Sequence, residues 1–177
     1  MKKILCIILC FCMFLPFSIK ADEVDLAPNA GSAVLMEFET GEIIFEKNSH
    51  EKLHPASMTK IMSMLIIMEH IDKGLIGWDD VVTASENASG MGGSQILLET
   101  GEKMKVSDLF KGIAVASGND AVVAMSEYIA GTEEAFVKMM NEKVKELGLN
   151  DTNFKNVHGL DDANHYSSAY DMAIMAR

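Results

Sequence analysis

The sequence predicts an α/β fold of the α+β kind, one β-hairpin followed by a run of helices. Three observations predict it. Two short stretches rich in strand formers, Ser32 to Phe38 and Glu42 to Phe45, flank the turn pair Thr40-Gly41. From Ala56 to Ile71 the apolar spacing changes: Met58, Ile61, Met62, Met64, Leu65, Ile66, Ile67 and Met68 surround a helix on nearly all sides. Such a helix belongs in the middle of a core. Beyond that point the chain reads mostly as helices bounded by capping and stop residues.

Taken in order, Lys2 and Lys3 precede an apolar run from Ile4 to Ile19, and Ala21 is followed by acidic Asp22 and Glu23. This is a signal-peptide layout, with cleavage expected after Ala21. The run is short for a membrane span, and no basic stop-transfer cluster follows it. Cys6, Cys10 and Cys12 all lie inside it. Residues 22–177 therefore offer no disulfide, thiolate nucleophile or cysteine metal site. Losing residues 1–21 removes three lysines and no acid, which takes the net charge from -11 to -14. A surface that acidic, without a basic patch, excludes nucleic acid as a partner.

The length, 177 residues, suits one hydrophobic core and is short for two. Residues 79–90 are polar and turn-rich, and Gly90-Met-Gly-Gly-Ser94 reads as a flexible loop. No strand leads into those glycines and no GK[ST] ends them, which argues against a phosphate cradle. Val106 to Val115 reads as a helix, and Asn119 to Ala130 as another closed by Gly131. Thr132 to Leu147 is an amphipathic third, capped by Thr132 and stopped by Gly148. Asn150 to Ser168 is irregular, and Ala169 to Arg177 starts a further helix. A lone hairpin is marginal in water, so more strands are expected than this chain contains.

Ser57-Met-Thr-Lys60 matches SxxK, a pattern that chance supplies readily in a chain of this length. Ser49-His-Glu-Lys52 is a second match, in a polar linker. Context separates them. Ser57 follows Pro55 on the first turn of the apolar helix, where positions three apart share a face and Lys60 can approach the Ser57 hydroxyl. Apolar surroundings favour the neutral amine that a general base must be. Unpaired amides of that first turn, the Ser57 N–H among them, are candidate oxyanion donors.

Ser117-Gly-Asn119 falls where two apolar helices meet, so a tight turn would push both side chains into a cleft. A hydroxyl there can relay protons, and an amide can hold a substrate carbonyl. Ser85-Glu-Asn87 also spells SxN, but in a polar loop.

Together these strings resemble the penicillin-recognising serine enzymes, and most closely the low-molecular-mass penicillin-binding proteins that act as serine D-alanyl-D-alanine carboxypeptidases. The resemblance is carried by His54-Pro-Ala-Ser-Met-Thr-Lys-Ile-Met62, by Ala116-Ser-Gly-Asn-Asp-Ala121, and by Asn156-Val-His-Gly-Leu160 running on to His165-Tyr-Ser-Ser-Ala-Tyr-Asp171. It extends in register over roughly residues 30–177. It implies a β-lactamase/DD-peptidase-like fold, with a helical cluster packed on an antiparallel sheet. It also implies that Ser57 is acylated, Lys60 is its base, Ser117 relays protons and Asn119 binds the substrate amide. Peptidoglycan stem peptides and β-lactams are the implied partners, at a periplasmic or extracytoplasmic wall face, with no cofactor and no metal.

One departure stands out: the family's third motif, KTG, occurs nowhere in the chain. Residues 22–177 are accordingly expected to be part of a catalytic domain. The KTG strands, a C-terminal β domain and an amphipathic membrane anchor are expected beyond Arg177.

Three other readings compete. A class A β-lactamase needs SDN and a deacylating glutamate; Glu146-Leu-Gly-Leu-Asn150 mimics the glutamate's pattern, yet it ends an amphipathic helix. A non-catalytic peptidoglycan-binding module is compatible with the missing motif. A metal hydrolase is suggested by His158, His165, Asp161, Asp162 and Asp171, but no HExxH spacing supports it.

Overall fold

The structure, a computed structural model, describes residues 25–177; the expected signal segment and all three cysteines lie outside the described residues. The hairpin forms as expected. Strand β1 (Ala33–Met36) pairs antiparallel with β2 (Ile43–Lys47), Ala33 opposite Lys47 and Leu35 opposite Phe45. Gly41 turns the chain at φ +76°, and the Glu37 carboxylate accepts the Thr40 hydroxyl at 2.7 Å. Alternation decides the faces: Val34, Ile43 and Phe45 are half-buried, while Leu35 and Ile44 are 48% and 60% exposed.

The apolar helix is central, but it starts later than its pattern predicts. Ala56–Thr59 is a 3-10 turn and α1 spans Lys60–Asp72. Ala56 has φ +48°, which no α-helical turn accommodates, so the α-helix proper begins only at Lys60. Met62, Ile66 and Ile67 are fully enclosed by four helices. These are α3 (Val106–Ala116), α4 (Asn119–Ala130), α5 (Glu133–Glu146) and α6 (Ala169–Ala176). Between α1 and α3 lies the short α2 (Glu86–Ser89), with Ser85 accepting the Ala88 N–H as its cap.

Helix ends follow the sequence signals. Thr132 Oγ1 accepts the Ala135 N–H at 3.1 Å to start α5. Gly131 and Gly148 close α4 and α5 with left-handed φ of +82° and +69°. Helix α6 packs on β1, and the Arg177 guanidinium donates to the Phe38 and Glu39 carbonyls at the hairpin turn.

One pairing departs from the reading of residues 79–90 as polar and turn-rich. Val81–Thr83 (β3) pairs antiparallel with Lys103–Lys105 (β4), a second two-stranded sheet. Three residues are too few to show a period, and only Val82 among them is buried. The irregular stretch 150–168 is fixed by bridges from Leu53 to Ser167 and from Asn153 to Tyr166. It carries buried Phe154, Val157, His158 and His165 onto the helices. Among the described residues no helix is long and apolar enough to cross a membrane.

Candidate active site

Ser57 stands on the strained corner that opens α1. Pro55 is buried beneath it, Ala56 is held in the left-handed region, and Ser57 itself is exposed. Such strain costs on the order of 1 kcal/mol and persists only where surroundings enforce it, commonly at working sites. One turn on, Lys60 is only 2% exposed. Its Nζ lies 3.5 Å from Ser57 Oγ and donates to the His158 carbonyl at 2.9 Å. The first distance is the outer limit of a hydrogen bond, as expected of a contact that tightens when substrate arrives.

Burial alone lowers the Lys60 pKa to about 8. Roughly a tenth of the amine is then uncharged at neutral pH. A neutral amine that spends one N–H on the His158 oxygen keeps its lone pair available as a proton acceptor.

The opposite wall is the α3–α4 corner. Ser117 caps α3 at φ +55°, and Asn119 opens α4. The Asn119 backbone N–H donates to the Ser94 carbonyl and its side-chain Nδ2 to the Gly92 carbonyl, each at 2.7 Å. Asp120, wholly buried, accepts the N–H groups of Ile96, Leu98 and Ala121. The glycine loop is therefore pinned to the start of α4, and a Cβ at Gly93 would come within 2.8 Å of Asn119 Nδ2 and push that amide aside.

A cleft of about 320 Å³ opens between the walls, lined by Ser57, Ser94, Asn119, His158, Gly159 and Asp161 among others. Of the four predicted site residues, Ser57 and Asn119 line it, and Lys60 is buried behind Ser57 with its Nζ 3.5 Å from Ser57 Oγ. Ser117 does not line it directly; its hydroxyl is enclosed without a hydrogen-bond partner. A buried free hydroxyl is unusual and marks a group held for another partner. Sequence reasoning missed Asp120, although an acid directly after Asn119 in an apolar first turn is a visible signal. It also gave His158 no role, and no sequence pattern reveals a backbone oxygen as a lysine acceptor.

The decoys resolve locally. Ser49 Oγ donates to Glu46 at 2.6 Å, and Lys52 lies 3.8 Å from Asp151, so the second SxxK does not form a serine–lysine pair. Ser85 is the α2 cap. Glu146 pairs with Lys143, which also pairs with Glu69 near the far end of α1. The acids and histidines of 158–171 disperse: His165 Nε2 meets Thr59 Oγ1 at 2.7 Å, and Asp171 accepts from Asp151 N and Thr152 Oγ1. Among the described residues no three potential ligands group around a metal position.

His158 and His165 share one arrangement. Each ring accepts a backbone N–H at Nδ1, from Leu160 and Lys155 respectively. Each is therefore neutral with its proton on Nε2. Burial is the main cause lowering both pKa values, His158 from 6.5 to about 4. Since both bind protons less well folded than unfolded, the stability involved is complete above about 6.5 and is lost as pH falls below it, for His158 toward about 4. Denaturant midpoints should accordingly drop across that window, and less steeply for His165→Gln. Equal slopes for parent and variant would remove His165 from the account.

An α+β fold in which an SxxK lysine reaches its serine beside an SxN corner is the architecture of the penicillin-binding proteins. The D-alanyl-D-alanine carboxypeptidase family of S11 peptidases matches residues 18–177, and the chain belongs to that family. It is 56% identical over 184 residues to the D-alanyl-D-alanine carboxypeptidase DacF of Bacillus subtilis (strain 168), covering 100% of this chain and 47% of that protein. It is 43% identical to DacD of Escherichia coli (strain K12), over 92% of this chain and 42% of that one. Among solved structures, penicillin binding protein 6B from Escherichia coli superposes with a TM-score of 0.81 at 42% identity, covering 92% of this chain and 52% of that chain. The chain spans about half the length of the curated relatives it matches.

Proposed function

We propose that this protein is a serine-type D-alanyl-D-alanine carboxypeptidase, penicillin-sensitive, that trims peptidoglycan stem peptides on the extracytoplasmic side after export by residues 1–21. Lys60 takes the Ser57 proton as Oγ attacks the carbonyl between the two terminal D-alanines. The tetrahedral intermediate collapses, the C–N bond breaks, and the leaving amine receives a proton through the Ser117 hydroxyl. Water then hydrolyses the acyl-enzyme with Lys60 again as base. Asn119 Nδ2 is anchored on Gly92 by one N–H, which leaves its second N–H and its Oδ1 for the substrate amide.

The observation that carries this reading is the buried Lys60 amine, lowered to about 8 and steered by the His158 oxygen toward Ser57. Against the lactamase alternative, Glu146 is an exposed residue at the end of α5, paired with Lys143 at 2.7 Å. Labelled penicillin applied to the full-length protein, followed by peptide mapping, tests the assignment: the adduct should sit on the peptide containing Ser57. An adduct on Ser49 or Ser117, or none, would sink it.

A further inference from the structure

We propose that Glu133, on the first turn of α5, is a positioning residue for the lysine base: its carboxylate clamps Val157 and His158, the two residues whose carbonyls dock on α1. The inference rests on the reading of Lys60 as the base, and adds a residue that the motifs do not include. Glu133 Oε1 accepts the Val157 N–H at 3.3 Å and lies 3.5 Å from His158 Nε2. The His158 Nδ1 lone pair is occupied by the Leu160 N–H, so the ring proton on Nε2 faces the carboxylate. With the ring neutral, this 3.5 Å approach is a polar contact rather than an ion pair, and the Val157 N–H supplies the hydrogen bond that ties the turn to Glu133.

The same two residues make the turn's hydrogen bonds to α1. The Val157 carbonyl accepts from Ser63 Oγ at 2.8 Å and the His158 carbonyl from Lys60 Nζ at 2.9 Å. The turn moves as a unit, since Asn156 Oδ1 takes the N–H groups of His158 and Gly159 while Asn156 Nδ2 donates to the Leu160 carbonyl. Of the side chains that tie this unit to the helices, Lys60 is the group being positioned and cannot also be the anchor. Ser63 fixes one point, and Glu133 supplies the second constraint that sets the angle of the His158 carbonyl. His158 is also the partition between the cleft and a larger open cavity of about 940 Å³, which Glu133 lines on the far side.

The clamp needs an acceptor, not a charge, so Glu133→Gln and Glu133→Ala should part company. The readout is the titration of the Lys60 amine, followed by NMR of the lysine ε-carbon in the full chain, which does not depend on turnover. The parent and Glu133→Gln should titrate together near about 8. Glu133→Ala should titrate higher, toward the ordinary lysine value, as the released turn lets water reach the amine. Its acylation by labelled penicillin should slow about tenfold or more while Glu133→Gln stays close to the parent.

An unshifted Lys60 titration in a folded Glu133→Ala overturns the proposal, as does equal displacement in both variants. If Glu133→Ala does not fold, nitrogen NMR of the parent decides: a neutral His158 ring with its proton on Nδ1 leaves Nε2 nothing to donate and removes the clamp. A parent that titrates as described yet takes no penicillin would refute the proposed function and leave the clamp standing.

Discussion

Lys60→Arg is expected to reduce acylation of Ser57 by about a thousandfold, although the positive charge is kept. The parent amine is poised by burial with a pKa of about 8, so some of it is always free to accept the serine proton. A guanidinium stays protonated at every pH the protein tolerates and presents donors alone. It would meet the Ser57 hydroxyl with an N–H and could not remove its proton. In the parent the acylation rate should climb through a midpoint near about 8, because the neutral form of Lys60 grows over that range. The variant should show no such limb. Penicillin labelling rates across pH, with circular dichroism to confirm the fold, make the measurement. A variant within about tenfold of the parent would show that Lys60 holds the corner together rather than moving protons.

What the sequence made legible, and what it did not, follows from the range of each interaction. Gly41, Gly131, Thr132 and Gly148 act within a turn of themselves, and the elements they bound end within a few residues of the expected places. Ser57 and Lys60 are one helical turn apart, so their meeting could be read from spacing. β3 and β4 were missed because their pairing is tertiary: Val82 is buried by a partner some twenty residues away. The Asp120 anchor, the His158 carbonyl and the Glu133 contact are also non-local. His158 reaches Lys60 across 98 positions, through a backbone atom common to every residue type. Ser117 stands between the two cases. The motif makes it a candidate, but only the structure shows a hydroxyl enclosed with no partner.

Gly159→Ala is expected to be among the most damaging single substitutions in the chain, at roughly 3–5 kcal/mol of stability together with loss of penicillin labelling. Gly159 has φ +91°, and a Cβ there would overlap the Ala56 carbonyl group and come within 3.0 Å of Thr59 Oγ1. The neighbour is backbone, so no rotamer change relieves the overlap. Either the 156–160 turn lifts away or the Pro55-Ala56 corner moves, and each route harms the site. Lifting the turn takes the His158 oxygen from Lys60; moving the corner displaces Ser57 from the amine it sits 3.5 Å from. Gly74 provides the control. It has φ +67°, but nothing lies within 4 Å of where an alanine methyl would stand, so Gly74→Ala tests backbone strain without overlap. It should cost only about 1 kcal/mol and leave labelling intact. Denaturant midpoints and labelling rates for the two alanine variants separate strain from collision: a Gly159→Ala protein as stable and as readily labelled as Gly74→Ala would mean that the turn does not press on the nucleophile corner.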